Sequence, residues 1–298
     1  MKRLIKLIGM ILLLHPHLSA QEYKWWNEKH NWDGVTPWSG YMIVSPGFMG
    51  PNALPVPEVK NGKLPKGRSV ELGLDGHYSK GDQTANLFAE LFFPLFSQRA
   101  GLGISYVPIE IYQTDTLTRD LRRSREFDPS GHSPGDVYVG TYIHLMEERG
   151  YRPDLLITVN IKTASGEGFS RARHTNAPGY YFDLSAGKRI YSGEGTVKSM
   201  RVYSLVGFYV YQTNLENYMQ NDAFQYGAGF DLNLGKFVLE NQWGGYTGYL
   251  DNGDRPMVYR LNMKWFIGEK GTAIKLRFQQ GFFDFPYTTV RFSTMIAI

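Results

Sequence analysis

Strict two-residue alternation from Pro134 to Gly166 is the feature that most constrains the fold of this chain. From Asp136 to Leu145 the side chains alternate between a mainly polar and a mainly apolar face, and after the charged segment Glu147–Arg152 the alternation resumes as far as Lys162. Successive side chains of a β-strand point to opposite faces, so this period predicts two strands rather than a helix. Each strand is about ten residues long, which suffices to cross a membrane at a tilt. The stretch therefore predicts one hairpin of a transmembrane β-barrel.

Residues 1–20 are predicted to be a secretory signal peptide that is cleaved near Ala20. Lys2, Arg3 and Lys6 form its basic start, and Leu7–Leu14 its apolar core. That core is shorter than the roughly 20 apolar residues of a transmembrane helix. The chain contains no cysteine, so a disulfide framework and a lipid-modified N-terminal cysteine are excluded. The formal charge is +4 and three positive charges lie in the signal peptide, which leaves +1 and gives no indication of nucleic-acid binding.

Residues 21–66 differ in composition from the rest of the chain. They hold four of the six tryptophans, and prolines interrupt their second half. Frequent proline argues against a central strand, and only Gly40–Phe48 has strand character. Two interpretations stay open at this point. The segment is either an irregular periplasmic lead-in whose tryptophans lie at the membrane interface, or a plug folded into the barrel.

Residues 67–298 are predicted to form the barrel. About twelve strand-like segments follow one another: 68–78, 85–96, 101–113, 135–146, 153–163, 179–191, 199–212, 223–234, 236–247, 256–266, 272–281 and 287–298. The connections at one end are short, whereas most at the other end are long, including 114–134, 164–178, 213–222 and 248–255. Short periplasmic turns and longer extracellular loops are typical of outer-membrane barrels. The predicted fold class is therefore all-β, a transmembrane antiparallel up-and-down β-barrel of about 12 strands in the cell outer membrane, bounded by outer-membrane lipids and lipopolysaccharide.

The alternation also assigns the two faces of each strand. Phe224 and Tyr226 fall on one face of their segment, and Gln225 and Asp231 on the other. The apolar face is predicted to contact lipid, because hydrocarbon cannot solvate the polar set. A secreted β-sandwich would also alternate, but the strand length, the loop asymmetry and the signal peptide favour the barrel.

Charged side chains on the predicted inner face are the candidate site, and their signs segregate along the chain. The first and last strands of a closed barrel are neighbours, so the acidic and basic walls should meet at the seam. Two roles stay open and are compatible: an ion-pair network that fills the lumen, and a polar constriction that selects solutes by charge. Strand parity further predicts that Asp136 and Lys162 pair near the extracellular rim. The lumen-lining candidates are Glu71, Asp75, Glu90, Glu110, Asp136, Lys162, Arg260, Lys264, Lys275, Arg277 and Arg291.

A possible nucleophile set lies at the end of the first strand. His77 and Ser79, with Asn86 beyond a tight turn, resemble the His-x-Ser-x-Gly core of outer-membrane phospholipases. His77 would have to take the proton of Ser79 while Asn86 orients the imidazole. However, His77 is in register with the predicted lumen face, whereas a lipid-cleaving site must face the bilayer. A lipid-modifying hydrolase is therefore an alternative to the preferred function, and the chain is not predicted to be an enzyme.

The remaining charged clusters give no site. The loop 114–134 mixes arginines with carboxylates, which is typical of a solvated surface. Asp251, Asn252 and Asp254 lack the spacing of a calcium loop, and no cofactor motif is present, so no cofactor is predicted.

The hairpin resembles that of outer-membrane channels of the phenol-degradation meta-pathway type, in the long-chain-fatty-acid transporter superfamily. In that family a Gly-Asp begins one strand, and the return strand ends in a Lys-Thr-x-x-Gly type sequence. The matching positions are Gly135, Asp136, Lys162, Thr163, Ser165 and Gly166. The run GPNALPVPE at 50–58 is similar to segments in outer-membrane proteins of Bacteroidetes-type bacteria. The resemblance implies the passage of hydrophobic compounds past an N-terminal hatch, although twelve strands differ from the fourteen of the fatty-acid transporters.

Together these observations predict an outer-membrane channel or uptake protein for small-molecule solutes, hydrophobic ones among them. The alternatives are the hydrolase described above and a structural barrel without transport. No nucleic-acid partner is expected, and the oligomeric state is left open.

Overall fold

The computed structural model describes residues 23–95, 99–267 and 271–298. The predicted signal peptide and its cleavage site lie outside the described residues. The strands within these ranges are β1 (Ser69–Ser79), β2 (Asp82–Pro94), β3 (Ala100–Tyr106), β4 (Glu110–Thr114), β5 (Ser130–Ser133), β6 (Tyr138–Met146), β7 (Asp154–Lys162), β8 (Gly179–Ser192), β9 (Ser199–Leu215), β10 (Tyr218–Asn233), β11 (Phe237–Thr247), β12 (Met257–Ile267), β13 (Thr272–Phe283) and β14 (Thr288–Ala297). The helices are α1 (Lys24–Lys29) and α2 (Thr116–Leu121), with 3₁₀ turns at Trp38–Tyr41 and Phe169–Arg171.

Twelve of these strands close into an antiparallel barrel. Each strand of the ring pairs with its neighbours along the chain, and β1 pairs with both β2 and β14, which closes the ring. Strands β4 and β5 lie outside the ring as an extension at one rim, where β4 pairs with the first half of β2. The predicted all-β, twelve-stranded antiparallel barrel is confirmed.

A proline explains one difference between the predicted and the observed strands. The segment 101–113 is two strands rather than one, because the break that contains Pro108 lets β3 continue to β6 while β4 turns to β5. Strand β6 begins at Tyr138, three residues after the predicted start at 135. The segment Gly40–Phe48, which had strand character in the sequence, starts in a 3₁₀ turn and forms no strand.

The predicted loop 213–222 is also wrong. Strands β9 and β10 continue through most of it and leave a two-residue connection, the commonest length for a hairpin. A register shift between Tyr218 and Gln220 accompanies this long hairpin.

The two faces of the ring follow the predicted parity. Phe224 is 47% exposed whereas Gln225 is 2% exposed. Along β14, Val290, Phe292 and Ile296 are exposed and Ser293 is buried. The apolar side chains therefore line the outside of the barrel and the polar ones its lumen.

The two ends of the barrel differ. At the end here called the short-turn end, the hairpin connections of the ring, such as 193–198 and 234–236, are brief. At the long-loop end lie the connection 107–137, which carries α2, β4 and β5, and the connections 163–178 and 248–256. None of the helices in the described ranges is long and apolar enough to cross a membrane.

The N-terminal segment runs from one end of the barrel to the other. Residues 23–50, here called the cap, lie at the long-loop end, where the Gly47 N–H donates to the Gly253 carbonyl over 3.0 Å and the Gly50 N–H to the Ala172 carbonyl over 2.8 Å. Residues 51–66, here called the thread, follow through the lumen. Near their end, Asn61 Nδ2 lies 2.9 Å from Asp231 Oδ2, close to the short-turn end of β10.

An apolar cluster joins this segment to the barrel wall. Side chains of the cap and thread pack against lumen-facing rings and small residues of the late strands, and all of them are buried. Tyr246 adds a polar contact, because its hydroxyl donates to the Leu54 carbonyl over 3.0 Å. The cluster comprises Val44, Met49, Ala53, Leu54, Val56, Tyr209, Tyr211, Ala223, Tyr246, Val258, Phe285 and Tyr287.

Candidate functional site

The acidic and basic walls meet at the seam between β1 and β14. Asp75 and Arg291 are directly opposite in register. Arg291 Nε lies 2.5 Å from Asp75 Oδ1 and Nη2 lies 2.7 Å from Oδ2, which is a two-point charge-assisted contact. Glu71 pairs with Lys275 on β13 and accepts from the Ser293 hydroxyl over 2.7 Å. The predicted contact between the two walls is confirmed at these pairs.

The late basic wall also holds the thread. Arg277 pairs with Glu58, and Arg260 donates to the Val56 carbonyl and, over 2.9 Å, to the Pro57 carbonyl. Lys264 pairs instead with Glu240 on the neighbouring strand, at 2.5 Å. Glu58 was not among the predicted candidates. Glu58 lies in a proline-rich stretch, and that stretch was the available signal. An extended chain of this kind forms no internal hydrogen bonds, so its backbone carbonyls are free to accept from arginines of the wall.

At the long-loop end, Arg173 forms a fully buried ion-pair cluster. Its Nε lies 2.7 Å from Glu110 Oε1 and its Nη1 lies 2.7 Å from Asp82 Oδ2, and the guanidinium lies 4.3 Å from the centre of the Tyr112 ring. Burial disfavours the charged guanidinium, but the attraction of Glu110 and Asp82 outweighs it and raises the pKa of Arg173. Glu110 Oε2 also accepts from Asn52 of the thread over 2.6 Å. The cluster therefore links a loop, the wall and the thread.

A second arginine of this end was expected in solvent. The loop 114–134 was predicted to be a solvated surface, but Arg122 is buried and its Nη1 lies 2.6 Å from Asp82 Oδ2. Tyr287 completes the contact, because its hydroxyl lies 2.8 Å from the same carboxylate oxygen. The mixed charges of the loop gave no signal that Arg122 would be buried, because its partners come from β2 and from the connection before β14.

The predicted pair Asp136–Lys162 is confirmed, with Lys162 Nζ 2.7 Å from Asp136 Oδ2. Lys162 is fully buried and also donates to the Thr175 hydroxyl over 2.6 Å. Both partners lie at the long-loop end. Asp136 itself precedes β6, and Glu110 belongs to β4 outside the ring, so these two carboxylates extend the lumen wall at its rim rather than lying on ring strands.

His174 lies between these two ion pairs. Its Nε2 is 3.9 Å from Glu110 Oε1 and its Nδ1 is 4.0 Å from Asp136 Oδ2. Burial is the main cause that lowers the pKa of His174, although both carboxylates oppose the shift. The imidazole is therefore neutral near pH 7. It lies among groups that already have charged partners.

Two cavities lie along the thread, one lined by residues between 51 and 60 and the other by residues between 58 and 66. One, of about 170 Å³, is at mid-lumen and is lined by residues that include Phe88, Tyr138, Tyr181 and Phe285. The other, of about 410 Å³, reaches the short-turn end. Glu58, Lys60, Glu90 and Tyr142 line both cavities. Among the described residues, Glu90 has no cationic side chain within ion-pair distance, so it adds a carboxylate to the constriction between the cavities.

The geometry does not assemble the hydrolase set. His77 Nε2 lies 2.8 Å from Asn86 Oδ1, and Nδ1 lies 2.8 Å from the Thr289 hydroxyl. Both ring nitrogens are thus engaged by groups other than Ser79, and the ring is buried on the lumen side. In the parts of the chain that the structure describes, no cluster of histidine and carboxylate side chains is placed to hold a metal ion.

These features define a class of protein. A closed antiparallel ring with an apolar outside and a polar, charged lumen is a transmembrane β-barrel. No family model matches the sequence, and no curated protein is significantly similar to it.

Solved structures of outer-membrane channels are similar to this chain, and one of them shares the fold at a TM-score above 0.5. The COG4313 outer membrane channel from Pseudomonas putida F1 is 11% identical at a TM-score of 0.51, over 82% of this chain and 100% of that one. The KdgM porin is 8% identical at a TM-score of 0.46, over 76% of this chain and 99% of that one. A second structure shows that porin in complex with disordered oligogalacturonate, with the same coverage. At these identities the likeness concerns the fold.

Proposed function

We propose that this protein is an outer-membrane channel or uptake protein for small molecules, and that its own thread closes the lumen. The single observation that carries the proposal is a continuous segment, residues 51–61, which contacts wall strands through hydrogen bonds and ion pairs along the lumen and lines two cavities there. In a barrel that serves only as a scaffold, side chains of the wall can fill the lumen, and no separate segment of the chain is needed there.

The orientation follows from the loops. Outer-membrane barrels have short periplasmic turns and longer outer loops, so the long-loop end faces the exterior and the short-turn end the periplasm. The signal peptide 1–20, cleaved near Ala20, would deliver the chain to that membrane, where the apolar belt contacts lipid and the outer loops approach lipopolysaccharide. Residues 21–66 then act as a plug, and 67–298 as the barrel.

The lining of the mid-lumen cavity supports a solute class. Aromatic rings from β2, β6 and β8 face the cavity, and charged groups such as Lys60 and Glu90 lie at its constriction. The cavity wall mixes these rings with charged side chains, such as Arg260, Arg277 and Arg291, so it offers both apolar and polar contacts to a small organic molecule. This supports small solutes with an apolar or aromatic part, as the resemblance to phenol-degradation channels implies, with the charged walls selecting against the wrong charge.

A reversible disulfide tests whether the thread is the gate. The chain has no cysteine, and a Cβ placed on Gly244 of β11 would lie 3.1 Å from Val59 Cγ2 in the thread. The two positions are therefore in side-chain contact, and a Val59→Cys/Gly244→Cys pair is the place to test a disulfide, which needs a Cβ separation of roughly 3.5–4.5 Å. In planar bilayers, the reduced double variant should conduct and the oxidised one should not, because oxidation fixes the thread to the wall.

The single variant Val59→Cys under the same oxidant is the matched control and should conduct in both states. Equal conductance of the double variant before and after a disulfide that is visible on a gel would show that the thread is not the gate. Absence of conductance and of liposome swelling in wild-type and reduced protein would instead favour a structural barrel.

A further inference from the structure

We propose that the cap carries a binding site for a guanidinium-type cation, formed by Tyr23, Trp26, Trp32 and Trp38, and that Arg125 occupies this aromatic cage as a built-in latch. The latch holds the cap on the loop that contains α2 and thereby keeps the long-loop end closed. The cage itself is independent of any transport activity, whereas its gating role rests on the function proposed above.

The cage surrounds one guanidinium. The Arg125 Cζ lies 4.0 Å from the centre of the Tyr23 ring and 5.0 Å from that of Trp38. The Trp26 and Trp32 rings follow at 5.7 and 5.9 Å. All four distances lie within the roughly 6 Å at which a cation is attracted to the face of an aromatic ring. Four rings on one cation, drawn from a segment of sixteen residues, 23–38, form a built site rather than a chance contact.

Aromatic rings, rather than a carboxylate, hold this charge. Among the described residues, no carboxylate lies within ion-pair distance of Arg125, and its buried Nε has no hydrogen-bond partner. The neighbouring arginines of the same loop behave differently, because Arg119 and Arg122 each pair with an aspartate. A planar cation stacked between rings needs no counter-charge, which is the chemistry of sites that recognise organic cations.

The rest of the contact places the cage at the boundary between the cap and the loop. Trp26 Nε1 donates to the Arg123 carbonyl over 2.9 Å, and Lys29 Nζ lies 2.5 Å from Asp120 Oδ2. Trp25 stands edge-on to Phe127 at 5.5 Å. The Cζ atom of the buried Arg119 also lies 4.4 Å from the centre of the Trp25 ring, so Arg125 is one of several side chains that join the cap to the loop. Removal of its side chain would empty the cage and loosen the cap without changing the barrel.

The cage can be tested by chemical rescue in the full chain. In Arg125→Ala, the emission of the cap tryptophans should shift to longer wavelength, and millimolar guanidinium chloride should reverse the shift in a saturable way, because the free ion fills the vacated cage. Sodium chloride at equal ionic strength should have no effect. Arg149→Ala, an exposed arginine at the short-turn end, is the matched control and should show neither the shift nor the rescue.

The latch is tested in bilayers with the same variants. Arg125→Ala should raise the open fraction roughly tenfold, since a partly buried cation–π contact with four rings is lost, and guanidinium should lower it again. Arg125→Lys, which keeps the charge but loses the planar group, should lie between wild-type and Arg125→Ala and provides the test if the alanine variant does not fold.

The two halves of the proposal fail separately. No saturable response of Arg125→Ala fluorescence to guanidinium would overturn the cage, whether or not the protein conducts. A normal rescue of fluorescence with an open fraction equal to that of wild-type would overturn the latch. If no variant and no wild-type protein conducts, the proposed channel function is wrong, and the fluorescence titration still decides the cage.

Discussion

The two ends of the barrel are held by different chemistry. At the long-loop end, fully buried charges form a shared cluster in which Arg173 contacts Asp82 and Glu110, and Lys162 contacts Asp136. At the short-turn end, pairs such as Lys264 and Glu240 are partly exposed and line a cavity of about 410 Å³. The charges of the first cluster are fully buried, whereas Lys264 and Glu240 border a cavity.

The difference in burial indicates how each end should respond to the loss of a charged side chain. A buried ion pair gains little net stability, yet removal of one partner leaves an uncompensated charge and is costly. A partly exposed pair is solvated when broken, so its loss costs little. Loss of Arg173 should therefore affect folding, whereas loss of Lys264 should mainly affect passage.

The largest expected effect follows from the substitution Arg173→Met. It leaves Glu110 and Asp82 buried without their shared partner, so we expect the free energy of unfolding to fall by about 3–5 kcal/mol. Lys264→Met, the matched change at the open end, should cost about 1 kcal/mol or less. Urea unfolding in detergent, followed by the heat-modifiable gel mobility of the barrel, measures both. Equal losses for the two variants would contradict the contrast between the ends.

A steric change at the exit of the thread should have a smaller effect. A Cβ on Gly187 would lie 2.1 Å from the Asn61 carbonyl oxygen, so Gly187→Ala must displace the thread where it leaves the lumen. We expect a loss of about 1–3 kcal/mol, typical of overpacking, together with faster proteolysis at residues 61–66. Gly195→Ala, whose Cβ would meet nothing within 4 Å, is the control. An unchanged proteolysis pattern in Gly187→Ala would mean that the thread leaves the lumen elsewhere.

The smallest effect is a pH dependence at the closed end. Burial lowers the pKa of His174 below its ordinary value of 6.5, so the unfolded chain binds this proton more readily than the folded one. Its contribution to stability is complete above pH 6.5 and is lost as the pH falls from there through the lowered pKa of the folded state, by at most about 1.4 kcal/mol per pH unit.

The substitution His174→Gln should flatten this part of the pH profile. The nearby charges of Glu110, Asp136, Arg173 and Lys162 remain in the variant, so the difference between the two unfolding profiles isolates the imidazole. Urea midpoints between about pH 5 and pH 8 measure it. A variant whose midpoint falls with pH as steeply as that of wild-type would assign the dependence to the carboxylates instead.

Local patterns explain how much of the fold could be predicted. Alternation fixes which residues face the lumen, and antiparallel parity then places residues of neighbouring strands at the same end. Asp136 and Lys162 could be paired on that basis alone, as could the acidic and basic walls at the seam. Where proline interrupts a strand, as at Pro108, the pattern still shows strand character but not which neighbour each half will pair with.

The candidate site was harder to predict because its partners are distant in sequence. Arg122 looks like any arginine in a mixed charged loop, and only the approach of Asp82 and Tyr287 buries it. Similarly, the tryptophans at 25–38 suggested the membrane interface, whereas the bond from Trp26 reaches Arg123, 97 residues away.

The sequence by itself determined most of the strands and their faces, because a period of two is a property of neighbouring residues. Once the ring is closed, the seam follows, because the first and last strands are then neighbours. The tertiary structure alone decided the path of the N-terminal segment. An irregular chain has no period to read, and its position is set by distant contacts: the Arg125 cage at one end, the Arg260 and Arg277 donors in the lumen, and Asp231 at the other end.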